Sequence, residues 1–333
     1  MASVHYTCPM ILAPTEENIA AAGAILRAGG IVGIPTETVY GLAARFDDDN
    51  AVRKIFEAKG RPADNPLIVH VASVEQAKSL VSPHLHALVE LLARHVWPGP
   101  FTMVLEKASH VSDLVSGGLS TVAVRMPNHP VALRLIEECG SPLAAPSANT
   151  SGTPSPTTAQ HVLADLGNEL MILDGGPCSI GIESTVALVT LEGVVILRPG
   201  VVTAETLAHI TELPVRSNPT MGEHVASPGT RYRHYSPQTP MKLVETVADV
   251  HATLKNEEGP VMVLARPSLW LEFPGHLMGL LTEHDLYAEL RRVDDLHVGC
   301  IVVLCDGVLK GQVALMNRLR KAAGEDNDEE AGT

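Results

Sequence analysis

Apolar residues recur along the chain with two periods, about 3.6 and about 2 residues, and this pattern predicts a mixture of helices and strands. Ile19, Ala22 and Leu26 are spaced as on one face of a helix, which Gly29-Gly30 ends. The apolar segment IVGIP comes next and predicts a short buried strand. We interpret PTETVYGLA, which follows that strand, as a loop.

The pattern continues as a mixed series of strands and helices. A second helix begins at Asp48 to Asp49 and ends at Lys59, with Gly60 as its stop, and a later helix is predicted from Pro156 to about Leu166. The other predicted strands are LIVHVA, FTMVLEK, TVAVRMP, PLAAP, LMILD and the two arms of the hairpin ESTVALV…VVILRPG. Hairpins together with βαβ units predict a twisted mixed sheet with helices over residues 1–212.

Residues 213–240 have the composition of a linker, with five prolines, two glycines and no apolar period. They also carry the cluster RYRHY, which ends at Tyr235 and which a passive linker does not need. Beyond them, strands MKLVE, VMVLA and CIVVLCD alternate with helical segments, so a small parallel α/β domain is predicted over residues 241–323. The acidic tail, residues 324–333, is predicted to be disordered.

Charge and cysteine content narrow the class of protein. The formal net charge of −14, spread over both halves, disfavours non-specific nucleic-acid binding, which depends on phosphate neutralisation by Lys and Arg. The five cysteines are scattered and form no CxxC pair, so we expect reduced structural thiols. The N-terminus has no secretion or transit pattern, and no apolar stretch approaches the length of a membrane span. We expect a soluble, cytoplasmic protein.

The common nucleotide-binding and hydrolase motifs GxxxxGK[ST], GxGxxG, HExxH and GxSxG do not occur. Polar residues that follow strands are therefore the candidates for chemistry. Thr36, Glu37, Thr38 and Tyr40 come directly after IVGIP, and strand ends in α/β sheets are where ligands bind. The alternative is that the two threonines only cap a turn through local side-chain bonds.

Lys59 and Arg61 place two cations at a helix end, which suits a phosphate or a carboxylate. Alternatively, Lys59 only satisfies the helix dipole. His70, within LIVHVA, is either structural or a ligand-binding residue. Arg125 lies on the otherwise apolar strand TVAVRMP and needs an anionic partner, either a structural Asp or Glu or a bound carboxylate.

The segment APSANTSGTPSP is rich in small polar residues. Ser147 and Asn149 follow strand PLAAP, and Ser155 precedes Pro156 at the predicted helix start. A helix N-terminus presents free N–H groups, so Ser155 marks either a phosphate site or a simple N-cap. Ser184 and Arg198 lie at the ends of the last hairpin.

Seven of these segments, taken in order, resemble the YrdC-like domain of threonylcarbamoyl-AMP synthases. They are IPTETVYGL, KGRP, NPLIVHV, WPGPFT, VRMP, PSAN and GIEST. The linker SPGTRYRHYSP and the ending MNRLRKAA are similar to the long, two-domain form of that family. The resemblance implies a twisted mixed-sheet α/β domain with a deep groove, then a small Rossmann-like domain, with the linker crossing the groove. The unusual composition of that linker motivates a further hypothesis, that it carries Tyr235 over the groove as a lid.

The resemblance also implies site residues. The family signature K-x-R…S-x-N is present as Lys59, Arg61, Ser147 and Asn149, of which Lys59 and Arg61 would be catalytic. The threonine site would comprise Thr38, His70, Arg125, Ala145 and Ser184. The ATP site would comprise Arg61, Asn65, Thr121, Ser147, Asn149, Ser155, Arg198 and Tyr235.

The implied reaction joins L-threonine, bicarbonate and ATP into threonylcarbamoyl-AMP and pyrophosphate, which is nucleotidyl transfer. Mg²⁺ would accompany ATP, through metal ligands that the sequence does not identify, and no tightly bound organic cofactor is implied. A separate transferase would use the product to modify tRNAs that read ANN codons, beside the anticodon. We expect no membrane contact and at most weak tRNA binding.

Two other functions share this resemblance. One is a non-enzymatic RNA-binding module, against which the net charge of −14 counts. The other is a carbamoyl-transfer domain of the hydrogenase-maturation type, which works on carbamoyl phosphate. Such domains normally occur in much longer proteins with zinc-finger cysteine pairs, and no such pair occurs here.

Overall fold

The computed structural model describes residues 11–217, 219 and 235–325. Their strands form two sheets. The larger sheet contains β1 Ile11–Leu12, β2 Val32–Ile34, β3 Gly41–Arg45, β4 Ile68–His70, β5 Phe101–Glu106, β6 Thr121–Arg125, β7 Leu143–Ala144, β8 Met171–Leu173, β9 Thr185–Val189, β10 Val194–Arg198 and β11 Val215–Arg216. Their spatial order is β1-β8-β2-β3-β7-β4-β6-β5-β9-β10-β11, with both parallel and antiparallel pairs.

Helices between these strands cover the sheet and bury its apolar side chains. They are α1 Glu16–Arg27, α2 Asp49–Lys59, α3 Val74–Leu80, α4 His86–Val96, α5 Asp113–Ser116, α6 Pro130–Cys139, α7 Ala159–Leu166 and α8 Ala204–Thr211, with a 3₁₀ turn at Pro83–Leu85. Local chemistry explains α2 well. The Asp48 carboxylate accepts hydrogen bonds from the N–H groups of Asn50 and Ala51, and Gly60 ends the helix at a φ of 58°, so the predicted bounds are confirmed.

The second sheet is smaller and entirely parallel. It contains β12 Met241–Val244, β13 Val261–Ala265, β14 Leu277–Leu280 and β15 Cys300–Leu304, in the order β12-β15-β13-β14. Its helices are α9 Val247–Asn256, α10 Leu286–Leu296, α11 Gly307–Lys310 and α12 Val313–Ala323, with a 3₁₀ segment at Pro267–Glu272. The predicted fold class, a mixed-sheet α/β unit followed by a small parallel α/β unit, is confirmed.

Four parts of the predicted pattern were wrong. Strand β3 lies partly in the segment interpreted as a loop, because GLAAR is buried on both faces and so lacks the alternation of a half-exposed strand. Helix α7 begins at Ala159 rather than Pro156, because Thr158 is its N-cap and accepts the N–H of His161. Strand β14 was missed, and β11, within the predicted linker, pairs with β10.

The two units share a buried boundary. Val39 and Ile182 of the first unit pack in the same apolar cluster as the residues of α10 and α12, and Tyr235 joins them. At the edge of this boundary, Arg291 on α10 donates to both carboxylate oxygens of Asp165, at 2.8 and 2.6 Å. Apolar residues of the first unit therefore form part of the hydrophobic core of the second unit.

Among the described helices, none combines the length and the apolar character needed to span a bilayer. Four of the five cysteines, Cys139, Cys178, Cys300 and Cys305, are described, and all four are buried free thiols, as expected. Cys8, most of the cluster RYRHY and most of the acidic tail lie outside the described residues.

Candidate active site

A cleft of about 720 Å³, part of it open to solvent, lies where several strand ends of the larger sheet meet. It brings together segments that are far apart in the chain: the turn after β2, the end of α2, strands β4 and β6, the loop after β7 and the last hairpin. Eleven of the predicted site residues line it, namely Thr38, Lys59, Arg61, His70, Arg125, Ala145, Ser147, Asn149, Ser184, Arg198 and Tyr235.

Three predicted residues do not line the cleft. The side chain of Asn65 is buried below Arg61, whose Nε lies 3.4 Å from the Asn65 carbonyl oxygen. Thr121 lies at the start of β6, opposite Glu106 on β5. Ser155 is buried behind the wall and donates its hydroxyl to Glu183 Oε1 at 2.6 Å. Because α7 begins at Ala159 with Thr158 as its N-cap, Ser155 does not lie at a helix start and the N-cap alternative is wrong, while its contact with ATP stays a prediction.

Lys59 is almost fully buried, and its ammonium holds the loop after β7. Its Nζ donates to the carbonyl oxygens of Ser147, at 2.5 Å, and of Asn149, with the Asn149 Oδ1 at 3.4 Å. Three oxygens thus surround a group with three donors. Burial, with a further contribution from the nearby Arg61, holds the pKa of Lys59 well below its usual value. The two halves of the K-x-R…S-x-N signature are therefore joined directly.

Arg61 follows the αL residue Gly60 and extends into the cleft. Its Nη2 donates to the Pro66 carbonyl at 3.0 Å, which anchors the guanidinium on the turn that carries Asn65. Gly60 ends α2 between the two cations, and both Lys59 and Arg61 line the cleft.

Arg125 also lines the cleft, together with residues of the turn after β2. Its Nη1 donates to Thr38 Oγ1 at 2.8 Å, its Nε lies 3.2 Å from the Gly99 carbonyl, and its Nη2 lies 2.7 Å from Glu37 Oε2. Both Glu37 and Arg125 are buried. Of the two partners considered for Arg125, a structural carboxylate is therefore present. Arg125 and Thr38 also line the cleft, so the guanidinium borders the space where a ligand would bind.

His70 lies beside Arg125 because β4 and β6 pair in register at these two residues. Burial, together with the neighbouring guanidinium, lowers the pKa of the His70 imidazole to about 3, so the ring is neutral at physiological pH. Its Nδ1 is buried and has no hydrogen-bond partner within the described part of the chain. The ring thus offers an unused nitrogen next to a cation.

The turn after β2 combines both interpretations of its polar residues. The Thr36 hydroxyl donates to the Val39 carbonyl at 2.6 Å and accepts the N–H groups of Thr38 and Val39, which is local capping. The Thr38 hydroxyl instead contacts Arg125. Tyr40 points away from this pair and donates to the Gly176 carbonyl at 2.8 Å.

Arg198 and Ser184, at the ends of the last hairpin, form one wall of the cleft. The Arg198 Nε and Nη2 lie 3.2 and 3.0 Å from the Ser184 carbonyl, and Nη2 lies 3.2 Å from the Ser184 hydroxyl. Tyr235, at a φ of 64°, lies buried against this wall, and the next N–H, of Ser236, donates to the Gly152 carbonyl at 2.9 Å. The end of the linker is therefore held at the cleft.

Sequence reasoning missed three residues beside this wall: Glu183 as a functional group, and Tyr287 and Arg318 from the second unit. The Arg318 Nε and the Tyr287 hydroxyl both donate to Glu183 Oε2. A signal was available in MNRLRKAA, because Arg318 falls at helical spacing with Leu315 on an otherwise buried face of α12. A charge on an apolar face requires a buried partner.

Two family models together match most of the chain. Residues 24–200 match a family described as telomere recombination, and residues 202–324 match the C-terminal domain of threonylcarbamoyl-AMP synthase. The threonylcarbamoyl-AMP synthase of Pyrococcus abyssi is 44% identical over 326 residues, which cover 93% of this chain and 95% of that protein. This chain belongs to the threonylcarbamoyl-AMP synthase family. The resemblance drawn from the sequence motifs is confirmed.

Other members of the synthase family agree over the same length. The Bacillus subtilis threonylcarbamoyl-AMP synthase is 41% identical over 330 residues, which cover 94% of this chain and 95% of that protein. A crystal structure of Pyrococcus abyssi Sua5 complexed with L-threonine superposes with a TM-score of 0.84 at 39% identity, covering 96% of this chain and 98% of that chain. The similarity to the synthase family thus includes both units and their arrangement.

Proposed function

We propose that this chain is an L-threonylcarbamoyladenylate synthase, a nucleotidyltransferase that converts L-threonine, bicarbonate and ATP into threonylcarbamoyl-AMP and pyrophosphate. The observation that carries the proposal is the convergence of Lys59, Arg61, Arg125 and Arg198 around one cleft, in a chain that is 44% identical to a synthase over nearly its whole length. Four cations around one cleft suit two anionic substrates.

The threonine end of the cleft is assigned to Arg125 and its neighbours. Arg125 would bind the carboxylate, and Thr38 would orient the guanidinium through its 2.8 Å hydrogen bond. His70, Ala145 and Ser184 complete this end. A relative that matches this chain over its length has been crystallised with L-threonine, which supports the assignment. The neutral His70 ring suits a position beside an amine that must lose protons to react.

The ATP end is assigned to the cations and loops across the cleft. Arg61 and Arg198 would contact phosphates, and Ser147 and Asn149 would contact the nucleotide from the loop that Lys59 holds. Tyr235 would cover it from the linker. Asn65, Thr121 and Ser155, which the family resemblance also assigns to ATP, lie outside the lining and would act from behind the wall.

The chemistry requires placement more than a protein nucleophile. The threonine amine attacks the carbon of bicarbonate and, with loss of water, gives a carbamate. A carbamate oxygen then attacks the α-phosphorus of ATP, and the bond to the bridging oxygen of the β-phosphate breaks to release pyrophosphate. Both reactants are anionic, so Arg61 and the Lys59 ammonium would lower the barrier by offsetting their repulsion and fixing the in-line geometry.

Mg²⁺ would enter with ATP. Among the described residues, no group of three or more His, Cys, Asp or Glu side chains is arranged to hold a metal ion. The carboxylate that lines the cleft, Glu183, already accepts three hydrogen bonds. A cation held by phosphate oxygens and water suits such a cleft, and it would neutralise phosphate charge.

The product is a mixed anhydride that water destroys, so a separate transferase would have to take it up promptly. By family membership that transferase would modify tRNAs that read ANN codons, in the cytoplasm. The idea that the linker acts as a lid concerns residues that mostly lie outside the described part of the chain, and it stays a prediction.

The test is pyrophosphate release by the purified chain with ATP, Mg²⁺ and bicarbonate, with and without L-threonine. We expect release that requires both threonine and bicarbonate and is lost in Lys59→Ala and Arg61→Ala. Arg53→Ala removes an exposed cation from the same helix and should retain activity. If ATP binds but threonine does not stimulate release, the assigned reaction is wrong, and carbamoyl phosphate becomes the next substrate to test.

A further inference from the structure

Glu183 is a buried carboxylate in the wall of the cleft, and three donors occupy its two oxygens. Ser155 donates to Oε1 at 2.6 Å, Tyr287 donates to Oε2 at 2.8 Å, and Arg318 Nε donates to Oε2 at 3.0 Å. Two of the three donors come from the second unit. The wall of the catalytic cleft is therefore completed by side chains from α10 and α12.

Arg318 makes more contacts than a simple ion pair requires. Its side chain is fully buried, its Nη2 lies 3.3 Å from the Glu183 carbonyl, and its Nη1 donates to the Pro199 carbonyl at 2.5 Å. Glu183 directly precedes Ser184, and Pro199 directly follows Arg198. One guanidinium thus clamps the backbone on both sides of the Arg198–Ser184 contact.

The same guanidinium also supports Tyr235. The Arg318 Cζ lies 5.9 Å from the centroid of the Tyr235 ring, and the Tyr287 ring lies 5.4 Å from that centroid. Tyr235, Arg198 and Ser155 are three of the residues assigned to the ATP end. Ser155 donates to Glu183, and Arg198 donates to the carbonyl of Ser184, the residue after Glu183. The Tyr235 ring lies beside Arg318 and Tyr287.

Charge balance makes this arrangement sensitive to Arg318. Burial of Glu183 opposes its ionisation, but Arg318 and then Arg198 outweigh burial and hold the pKa of the carboxyl below its usual value. Without Arg318, the carboxylate would keep Arg198 as its nearby cation. Arg198 would then be drawn from Ser184 toward Glu183, because an unpaired buried charge is strongly unfavourable.

We propose that Arg318 and Tyr287 of the second unit are positioning residues for the ATP end of the cleft, which they hold in place through Glu183. The inference rests on the proposed function, since it takes ATP as the ligand of that end. The inference gives the second unit a defined part in the reaction. Arg318 supplies the positive charge that compensates Glu183, so that Arg198 keeps its contact with Ser184.

The first experiment compares Arg318→Met with Arg320→Met, which removes an exposed cation from the same helix. ATP and L-threonine affinities of the full chain are measured separately by calorimetry. We expect Arg318→Met to weaken ATP binding by roughly tenfold or more, with a much smaller change for threonine, because leaving the other charge of a buried pair uncompensated is strongly unfavourable and would shift Arg198 away from its position. Arg320→Met should match the parent chain in both.

A merely structural role would lower the melting temperature without this split between the two ligands. The double variant Glu183→Gln, Arg318→Met supplies a second criterion: it removes both charges, so it should recover part of the ATP affinity lost in Arg318→Met. Recovery is not expected if Arg318 only fills space.

Tyr287→Phe removes only the hydroxyl that donates to Glu183 and should leave the fold intact. Its ATP affinity tests the proposal if Arg318→Met does not fold. We expect weaker ATP binding here too, by a smaller factor. Unchanged ATP affinity in folded Arg318→Met, or in Tyr287→Phe if the first variant is unfolded, would overturn the inference. Because this test reads ligand binding and not turnover, it remains decisive even if threonine-dependent pyrophosphate release, and with it the proposed reaction, fails.

Discussion

The Arg125 guanidinium lies 2.7 Å from the Glu37 carboxylate, and the two side chains are only 4% and 6% exposed. The pair spans two elements, the turn after β2 and strand β6, and it supports the guanidinium from behind while Thr38 contacts it from the cleft. An ion pair withdrawn from water in this way is strongly coupled, since neither charge has solvent as an alternative partner.

Glu37→Gln should therefore destabilise the fold by about 3 kcal/mol or more, because it leaves the buried Arg125 uncompensated. Arg125→Met should do the same, and the double variant should lose clearly less than the sum of the two. Urea unfolding measures all three. The control is Asp47→Asn, which breaks the partly exposed Arg45–Asp47 pair and should cost about 1 kcal/mol or less. Additive losses at Glu37 and Arg125 would mean that the two charges are not coupled.

Lys59→Met should disrupt the loop after β7. The buried carbonyls of Ser147 and Asn149 would lose their donor, at about 1–3 kcal/mol for each unsatisfied group, and the loop would no longer be tied to α2. We expect reduced stability together with loss of ATP turnover, measured by urea unfolding and pyrophosphate release. Lys54→Met is the matched control: Lys54 lies on the same helix, but its Nζ binds the carbonyl of Gly29 instead. Wild-type turnover in Lys59→Met would contradict the role assigned to this loop.

The contacts of Lys59 show what the sequence could and could not predict. The end of α2 at Gly60 follows from local chemistry, an αL stop after a helical pattern, and this part of the prediction is confirmed. The partners of the ammonium lie 88 and 90 residues away, so spacing along the chain carries no information about them. Family motifs supplied the link between Lys59 and Ser147 that periodicity could not.

The same limit applies at the boundary between the units. Arg318 and Glu183 are 135 residues apart, and each belongs to a segment whose own pattern is complete without the other. The helix start expected at Pro156 was wrong for a different reason: Pro is typical of a first helical turn, but Thr158 takes the N-cap and α7 begins only at Ala159. Competing local signals of similar strength are settled by tertiary contacts.

Gly181 should tolerate no side chain, because the second unit packs directly on it. Its φ is 87°, and a Cβ there would lie 2.3 Å from the carbonyl oxygen of His284. Gly181→Ala should therefore destabilise the chain by about 1–3 kcal/mol more than the backbone strain alone, through overpacking. Gly176→Ala measures that strain, since Gly176 has a φ of 79° and nothing within 4 Å of its Cβ position. Equal losses in urea unfolding would show that the two units separate easily at this point.

His70 should make the fold sensitive to acid. Burial, with Arg125 beside it, lowers its pKa from 6.5 to about 3, so between these values the unfolded chain binds a proton that the folded chain does not. The stability from the neutral ring is thus fully present above pH 6.5 and is lost as the pH falls toward about 3, at roughly 1 kcal/mol per pH unit. His161, whose pKa burial lowers to about 4, contributes in the same direction, so one substitution removes only part of the slope.

His70→Asn should therefore flatten the fall in stability across this window by about one proton, when urea unfolding is measured at a series of pH values. The substitution keeps a polar side chain at the site but removes the titrating group beside Arg125. Its threonine affinity should fall as well, because His70 lines the end of the cleft that we propose for threonine. An unchanged slope would mean that the folded and unfolded chains protonate the imidazole equally, and that its neighbours stabilise the charge as much as burial opposes it.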